Sequence, residues 1–309
     1  MRANPWGHET MSESAETAKS RRQQARQVSA DPRLRARLLL RVGHHSHGAA
    51  DSISRSQERP GKSMFSPTSQ PFTGAATSVE VAVIGTDTGV GKTRVVELLI
   101  AGLRMAGRRA WVHKPVACGG WDGATAEDAR ALSQLCGDGQ PAESVCPWQF
   151  PEPASPHLAA HQAGQPLHMP ALLRALNACR GHAGNIHDLV VEGIGGLLVP
   201  LTAERQTVAD LLVLADLPVV IVTRPHLGTL NHTCLTVEVA RQRGLRVLGL
   251  VLNFHTAVDD SLAVRSAAAE LTALTGLPLL ATLPFAAHTP SSADAVALAE
   301  AVLQRSVKL

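Results

Sequence analysis

Gly85-Thr86-Asp87-Thr88-Gly89-Val90-Gly91-Lys92-Thr93 is the stretch that decides the fold of this chain. An apolar run, residues 81–84, precedes it, and a helical pattern over residues 95–99 follows it. A buried strand, a glycine-rich turn ending in Gly-Lys-Thr and a helix predict a phosphate-binding loop, because N–H groups at the helix N-terminus face the anion. Lys92 supplies a cation, and the Thr93 hydroxyl can reach Mg²⁺. The usual pattern has Gly five residues before Gly91, where this chain has Thr86, so the loop is a variant.

Short apolar runs alternate with helical patterns from residue 79 onward. The strand candidates are 80–85, 109–113, 187–192, 218–223, 246–252 and 278–282. The helix candidates are 92–106, 125–136, 169–179, 206–214, 229–243, 260–274 and 291–305. The strands are nearly continuous runs of Val, Ile and Leu, as expected for strands covered on both faces. The pattern predicts an α/β fold with a doubly wound, mostly parallel sheet.

Residues 1–78 differ from the rest in charge. They carry 12 Lys and Arg against 6 Asp and Glu, whereas residues 79–309 carry 17 against 20. Their only apolar cluster is Leu38–Leu40, too little to offset the entropy of ordering. We expect a disordered basic extension over 1–78 and one domain over 79–309. The extension is either a basic arm for nucleic acid or lipid or, as we prefer, dispensable, with Met64 as a plausible start.

The composition argues against several classes of protein. Aromatic residues make up 3% of the chain and Tyr is absent, so a platform for stacking nucleic-acid bases is not expected. The five Cys form no C-x-x-C pair, which is typical of reduced thiols in a cytoplasmic protein. No apolar run approaches the ~20 residues of a membrane span. We expect a cytoplasmic protein that binds neither nucleic acid nor membrane.

Polar residues stand at the carboxyl ends of the predicted strands, where α/β sheets bind ligands. The phosphate loop (residues 85–93) follows the first strand and Lys114 the second; Glu192 ends the third, and Asn253 follows the fifth. Glu192 is a candidate Mg²⁺ group, or an acid that faces solvent. Asp128 is either a third Mg²⁺ group or an acid placed by the helix dipole. Burial of the Lys114 charge at this edge costs free energy unless an anion lies beside it. The alternative is that Lys114 lies at the surface.

Five blocks of sequence occur in an order that resembles the dethiobiotin synthetase family, over about residues 79–305. They are the phosphate loop, Lys-Pro-Val-Ala (114–117), Glu-Pro-Ala-Ser-Pro-His (152–157), Val-Glu-Gly-Ile-Gly-Gly (191–196) and Leu-Gly-Thr-Leu-Asn-His (227–232). The resemblance implies a homodimeric fold like that of P-loop NTPases. It also implies the use of ATP, Mg²⁺, CO₂ or bicarbonate and 7,8-diaminononanoate to make dethiobiotin for biotin biosynthesis.

The resemblance also implies roles for individual residues. Lys114 and Lys92 would be catalytic, and Thr93, Asp128 and Glu192 would hold the metal. The residues expected to bind ATP are Gly89, Val90, Gly91, Lys92, Thr93, Arg94, Asp128, Glu192, Gly193, Ile194, Gly195, Asn253, Phe254, Pro284, Phe285 and Ala286. The residues expected to bind the diamine are Cys118 and, from the partner subunit, Gly228, Thr229 and Asn231.

Simpler roles stay open for two of these residues. Thr229 could cap its helix, and Asn253, expected at the adenine edge, could bond its own backbone. Two positions depart from well-known members of the family: position 118 is Cys where they have Ser, and position 226 is His where some have Lys. A thiol is a weaker donor, and His226 need not be charged at neutral pH.

The implied mechanism needs no protein nucleophile. A substrate amine adds to CO₂, the carbamate attacks the γ-phosphorus of ATP, and the second amine closes the ring and expels phosphate. Two alternative functions remain. A partition or septum-site switch NTPase shares the loop architecture, but it usually carries a second Lys early in the loop. A corrinoid-pathway amidotransferase would need a following glutaminase domain.

Overall fold

The computed structural model describes residues 78–135, 139–184, 187–254, 260–285 and 291–306. The strands are β1 (Glu80–Gly85), β2 (Arg109–His113), β3 (Val116–Cys118), β4 (Trp148–Phe150), β5 (His187–Gly196), β6 (Val219–Thr223), β7 (Val247–Asn253) and β8 (Leu279–Leu283). The helices are α1 (Lys92–Met105), α2 (Glu127–Ser133), α3 (Ala142–Val145), α4 (Pro156–Gln162), α5 (Met169–Ala183), α6 (Val208–Leu214), α7 (Thr229–Gln242), α8 (Leu262–Thr275) and α9 (Ser292–Ser306).

Six strands form one sheet in the order β2-β5-β1-β6-β7-β8, and every neighbouring pair is parallel. Alternate residues of β1 enter two core clusters: Val81 and Val83 pack on one face, Ala82 and Ile84 on the other. Helices α1 and α9 cover the first face, and α5 to α8 cover the second. The prediction of a doubly wound parallel sheet is confirmed, because only a sheet covered on both faces buries such runs.

The ends of two strands differ from the prediction. The third predicted strand was expected to end at Glu192, but β5 continues to Gly196, because its last residue pairs with Gly85 past a register shift. Asn253 is the last residue of β7 and does not follow it. Helix α2 begins at Glu127, two residues later than predicted, because Asp122 accepts hydrogen bonds from the N–H groups of Ala124 and Thr125 and holds them in a turn.

A second, two-stranded parallel sheet was not predicted. It pairs β3 with β4 in the register Val116 to Trp148 and Cys118 to Phe150. The predicted disorder of residues 1–78 concerns a segment that lies, apart from Ser78, outside the described residues. Within the described part of the chain, no helix is long and apolar enough to cross a membrane.

Candidate active site

The sheet order brings the predicted site residues to one edge. Strand β5 lies between β2 and β1, so Lys114, directly after β2, is next to Glu192 on β5. Glu192 in turn pairs with Val83 of β1, just before the phosphate loop. Strands β7 and β8 lie beyond β6 on the other side of β1 and carry Asn253 and Pro284 at their ends. The edge therefore has a phosphate half around the loop and a second half at β7 and β8.

The phosphate loop needs glycine at its start and at its end. A Cβ on Gly85 would lie 2.7 Å from both the Asp87 carbonyl oxygen and the Val90 side chain. Gly91 precedes α1 with φ of 86°, a left-handed conformation that other residues adopt at a cost. These two positions let the backbone turn tightly and direct the free N–H groups of α1 at an anion.

Lys92 is folded back onto the phosphate loop. Its Nζ donates to the carbonyl oxygens of Gly195, at 3.1 Å, and Asp87, at 3.3 Å. Burial, and then the neighbouring charge of Lys114, lower the pKa of Lys92 to about 8. In the described structure two carbonyl oxygens hold this buried ammonium, and a phosphate at this position would raise its pKa again, because an opposite charge favours the charged form.

Lys114 lies between two carboxylates. Its Nζ is 2.6 Å from Glu192 Oε1 and 2.7 Å from Asp128 Oδ2, and its side chain is 1% exposed. Burial lowers the pKa of Lys114, but the charges of Glu192 and Asp128 outweigh burial and raise it above the ordinary value. The surface position considered for Lys114 is therefore wrong: the residue is a buried, permanently charged ammonium beside the phosphate loop.

Thr93 and Asp128 are both neighbours of Glu192, Thr93 through a direct hydrogen bond and Asp128 through Lys114. Thr93 Oγ1 donates to Glu192 Oε1 at 3.0 Å, while Glu192 Oε2 is buried and lacks a hydrogen-bond partner in the described structure. A solvent-facing role for Glu192 is wrong, since the residue is 1% exposed. Asp128 lies in the first turn of α2, whose N-cap is Ala126, and its carboxylate reaches Lys114 and does not cap the helix.

These groups fit a divalent cation that is only partly held by protein. The described residues contain no cluster of three His, Cys, Asp or Glu that could hold a metal ion by itself. Mg²⁺ is usually bound through one or two carboxylates together with substrate phosphates and water. The buried Oε2 of Glu192, the Thr93 hydroxyl and the half-exposed Asp128 supply that smaller set.

Asn253 and Arg94 connect the two halves of the edge. Asn253 is fully buried; its Nδ2 donates to the Val90 carbonyl at 2.9 Å, and its Oδ1 accepts from Arg94 Nη1 at 3.0 Å. Arg94 Nη2 also donates to the Pro284 carbonyl at 2.8 Å. Asn253 therefore does not bond its own backbone, which was the alternative. Phe285 is 40% exposed, and Ala286 lies outside the described residues.

The remaining residues expected to bind ATP lie on the same edge. Gly193, Ile194 and Gly195 are in the last part of β5, beside the phosphate loop that contains Gly89. Phe254 follows β7, and its N–H donates to the Leu283 carbonyl at 2.9 Å. The structure therefore brings all the described residues of this set to the carboxyl edge of the sheet.

The residues expected to bind the diamine fall into two groups. Cys118 ends β3 near Lys114, and burial raises the pKa of its thiol to about 11, so it is protonated at neutral pH. Gly228, Thr229 and Asn231 lie at the start of α7. The Thr229 hydroxyl is 2.9 Å from that of Thr223 and is buried, so it does not cap α7. Asn231 is exposed and lines a cavity of about 320 Å³ between α7 and α8.

Sequence reasoning missed the segment that supports Lys114. The Gln140 side chain pairs with Val112 in both directions: Oε1 accepts from the N–H at 3.1 Å and Nε2 donates to the carbonyl. His113 Nδ1 is 2.8 Å from the Ser144 carbonyl oxygen, and the Lys114 N–H donates to the Val145 carbonyl at 2.7 Å. Residues 140–145 thus bond to three consecutive residues at the end of β2. A lone Gln between Gly139 and Pro141 gives no signal of this role.

Comparisons with known families and proteins identify relatives of this chain. Residues 80–291 match the family described as "AAA domain". The ATP-dependent dethiobiotin synthetase BioD of Anaeromyxobacter dehalogenans is 45% identical over 193 residues, 62% of this chain and 84% of that protein. The protein of the same name from Ralstonia nicotianae is 42% identical over 188 residues, 59% of this chain and 80% of that protein.

Among solved structures, the cell division ATPase MinD of Pyrococcus furiosus aligns over 73% of this chain and 98% of its own, with 17% identity and a TM-score of 0.45. The curated relatives decide the family, because they match over most of their own length and at high identity. The chain belongs to the ATP-dependent dethiobiotin synthetase family.

Proposed function

We propose that this protein uses ATP to close the ureido ring of dethiobiotin from 7,8-diaminononanoate and CO₂. The observation that carries the proposal is the second buried ammonium: Lys114 lies beside the phosphate loop between Glu192 and Asp128, at 2.6 and 2.7 Å. An NTPase that only hydrolyses ATP has to position water, whereas this reaction must hold a carbamate anion against the γ-phosphate. Two lysines and backbone N–H groups suit that task.

The reaction begins with the addition of one substrate amine to CO₂, which gives a carbamate and releases a proton. Lys114 attracts the carbamate oxygen, since its charge persists at neutral pH. Lys92 releases the two carbonyl oxygens that hold it and binds the β- and γ-phosphates together with the N–H groups at the start of α1. The carbamate oxygen then displaces ADP from the γ-phosphorus.

Ring closure follows from the resulting carbamic–phosphoric anhydride. The second amine attacks its carbonyl carbon, the C–O bond to phosphate breaks, and inorganic phosphate leaves. The negative charge on the departing phosphate remains close to Lys114 and Lys92. Because the Cys118 thiol is protonated and half-buried, it serves as a weak donor at most, and no covalent step uses it.

Thr93, Glu192 and Asp128 would hold Mg²⁺ together with the ATP phosphates. When bound, the cation neutralises charge on the transferred phosphoryl group. Lys114 already pairs with both carboxylates, at 2.6 Å from Glu192 and 2.7 Å from Asp128, and so neutralises part of the charge at this position.

The start of α7 would bind the distal carboxylate of the diamine in the neighbouring subunit of a homodimer. Asn231 is exposed there, and Leu227, two residues before the helix, is 88% exposed. Leu235 and Leu274, on α7 and α8, are each 57% exposed beside the cavity that Asn231 lines. Exposed leucines in this number favour an interface between two copies of the chain.

The test is ADP release that depends on all substrates. Purified protein with Mg-ATP and bicarbonate should release ADP only when the diamine is added, and dethiobiotin should form in equal amount. ADP release that is indifferent to the diamine contradicts the proposal. For the proposed division at residue 78, deletion of residues 1–63 should leave the turnover unchanged, and a loss of activity would assign a function to the extension.

A further inference from the structure

Arg94 is the residue at which the phosphate half and the other half of the site meet. It lies in the first turn of α1, two residues after Lys92, but its side chain extends toward the ends of β7 and β8. Nη1 donates to Asn253 Oδ1 at 3.0 Å and Nη2 donates to the Pro284 carbonyl at 2.8 Å. One guanidinium thus satisfies two acceptors on neighbouring strands.

Those two acceptors form a pair that can recognise an amino group. An exocyclic amino group of a base has two N–H donors, and an amide oxygen with a main-chain carbonyl can accept both. Asn253 cannot turn its oxygen elsewhere, because its Nδ2 is fixed on the Val90 carbonyl at 2.9 Å. Asn253 is also fully buried in this arrangement, so a base reaches it only if a covering group moves.

We propose that Arg94 occupies the acceptors for the amino group of adenine and sets the affinity for ATP by competing with the base. This inference rests on the proposed use of ATP, in which Asn253 is expected at the adenine edge and Pro284 among the residues that bind ATP. ATP then binds the fraction of molecules in which the guanidinium has left, and its apparent dissociation constant rises by the inverse of that fraction.

The arginine can leave at a modest cost. Its side chain is only half-buried, and its bond to Pro284 lies at the surface, so the guanidinium exchanges protein acceptors for water. Two hydrogen bonds of this kind, at a net ~0.5–1 kcal/mol each, correspond to an affinity change of about 5- to 30-fold. Among the described residues, the hydrogen bonds of the Arg94 side chain go to Asn253 and Pro284 and not to the phosphate loop, so we expect the exchange to leave phosphate binding unchanged.

The test is equilibrium binding of a non-hydrolysable ATP analogue and of tripolyphosphate, with Mg²⁺, to wild type and Arg94→Met. Methionine keeps the apolar stem and removes every donor. We expect the analogue to bind about 5- to 30-fold more tightly to the variant, and tripolyphosphate to bind both proteins equally. Arg104→Met is the matched control on the same helix: Arg104 bonds the Leu135 carbonyl away from the site, so its loss should change neither affinity.

Arg94→Lys serves as the second variant in case the methionine protein does not fold, and its single ammonium should give a smaller gain. Equal or weaker binding of the analogue to Arg94→Met overturns the inference, because Arg94 would then be a bystander or a contact of ATP. A matching gain for tripolyphosphate overturns it as well, since the effect would lie at the phosphates. These measurements involve no diamine, so they can be interpreted even if the proposed ring closure is wrong.

Discussion

Replacement of Lys114 by Met tests what the cluster of Lys114, Glu192 and Asp128 contributes to stability and to activity. The substitution removes the ammonium from Glu192, which is 1% exposed, and from Asp128, which is 50% exposed. Asp128 can be solvated, so its loss of a partner matters little. Glu192 is buried and cannot be solvated in this way. Removal of one partner of a buried ion pair costs about 3–5 kcal/mol of unfolding free energy. That is a large share of the ~5–15 kcal/mol that a domain of ordinary stability has.

The double variant Lys114→Met/Glu192→Gln identifies charge as the cause. It removes both members of the pair, and replacement of a whole buried pair by neutral groups is often close to neutral. We expect it to recover about 2–3 kcal/mol of the loss in the single variant. Urea unfolding in the presence of EDTA measures both values and prevents a divalent cation from replacing the ammonium. Both variants should turn over poorly, and the single variant should lose about 10²- to 10³-fold in kcat.

Asp188→Asn is the control for a buried ion pair outside the site. Asp188 accepts from the Val79 N–H at 2.8 Å and pairs with Arg108 at 2.6 Å, at the opposite end of β5. Asp188→Asn should lower the free energy of unfolding and leave kcat unchanged. A loss below about 1 kcal/mol in Lys114→Met, or a double variant no more stable than the single one, would refute the electrostatic reasoning, because packing alone would then explain the effect.

Two further predictions concern pH and the support of Lys114. Because burial lowers the pKa of Lys92 to about 8, its charge is present below pH 8 and lost above it, so kcat/KM for ATP should fall by up to about tenfold per pH unit above pH 8. Lys114, whose pKa is raised, stays charged over this range, and a profile flat to pH 9.5 would contradict the assignment. Gln140→Leu should lower the unfolding free energy by about 2 kcal/mol in urea, since it leaves a buried N–H and carbonyl of Val112 unpaired. Gln140→Glu should recover part of that loss through the Val112 N–H, and equal stability of both variants would argue against this contact.

The phosphate loop and the sheet could be predicted because their signals are local. A run of apolar residues, a glycine turn and a helix lie next to one another in the sequence, as do Lys114 and the strand before it. Strands β3 and β4 have three residues each and pair only with each other, so neither shows a period that predicts it. Their pairing is long-range and invisible in composition.

The partners of the site residues were harder to predict than the residues. Lys114 was expected to need an anion, but that Glu192 and Asp128 supply it depends on β5 lying between β2 and β1. Arg94 was expected to bind ATP as part of the run after Gly89, whereas its side chain reaches Asn253 and Pro284. Side-chain direction on a helix depends on the packed structure as well as on the spacing along the chain.

The bonding of residues 140–145 along β2 also covers backbone groups at one edge of the main sheet. Strand β2 is an edge of the main sheet, and an open edge is a template for pairing with strands of other chains. Here the Gln140 amide occupies both backbone groups of Val112, and the Val145 carbonyl occupies the N–H of Lys114. The contacts that fix Lys114 thus also close this edge, so loss of the Gln140 side chain should promote aggregation as well as loss of activity.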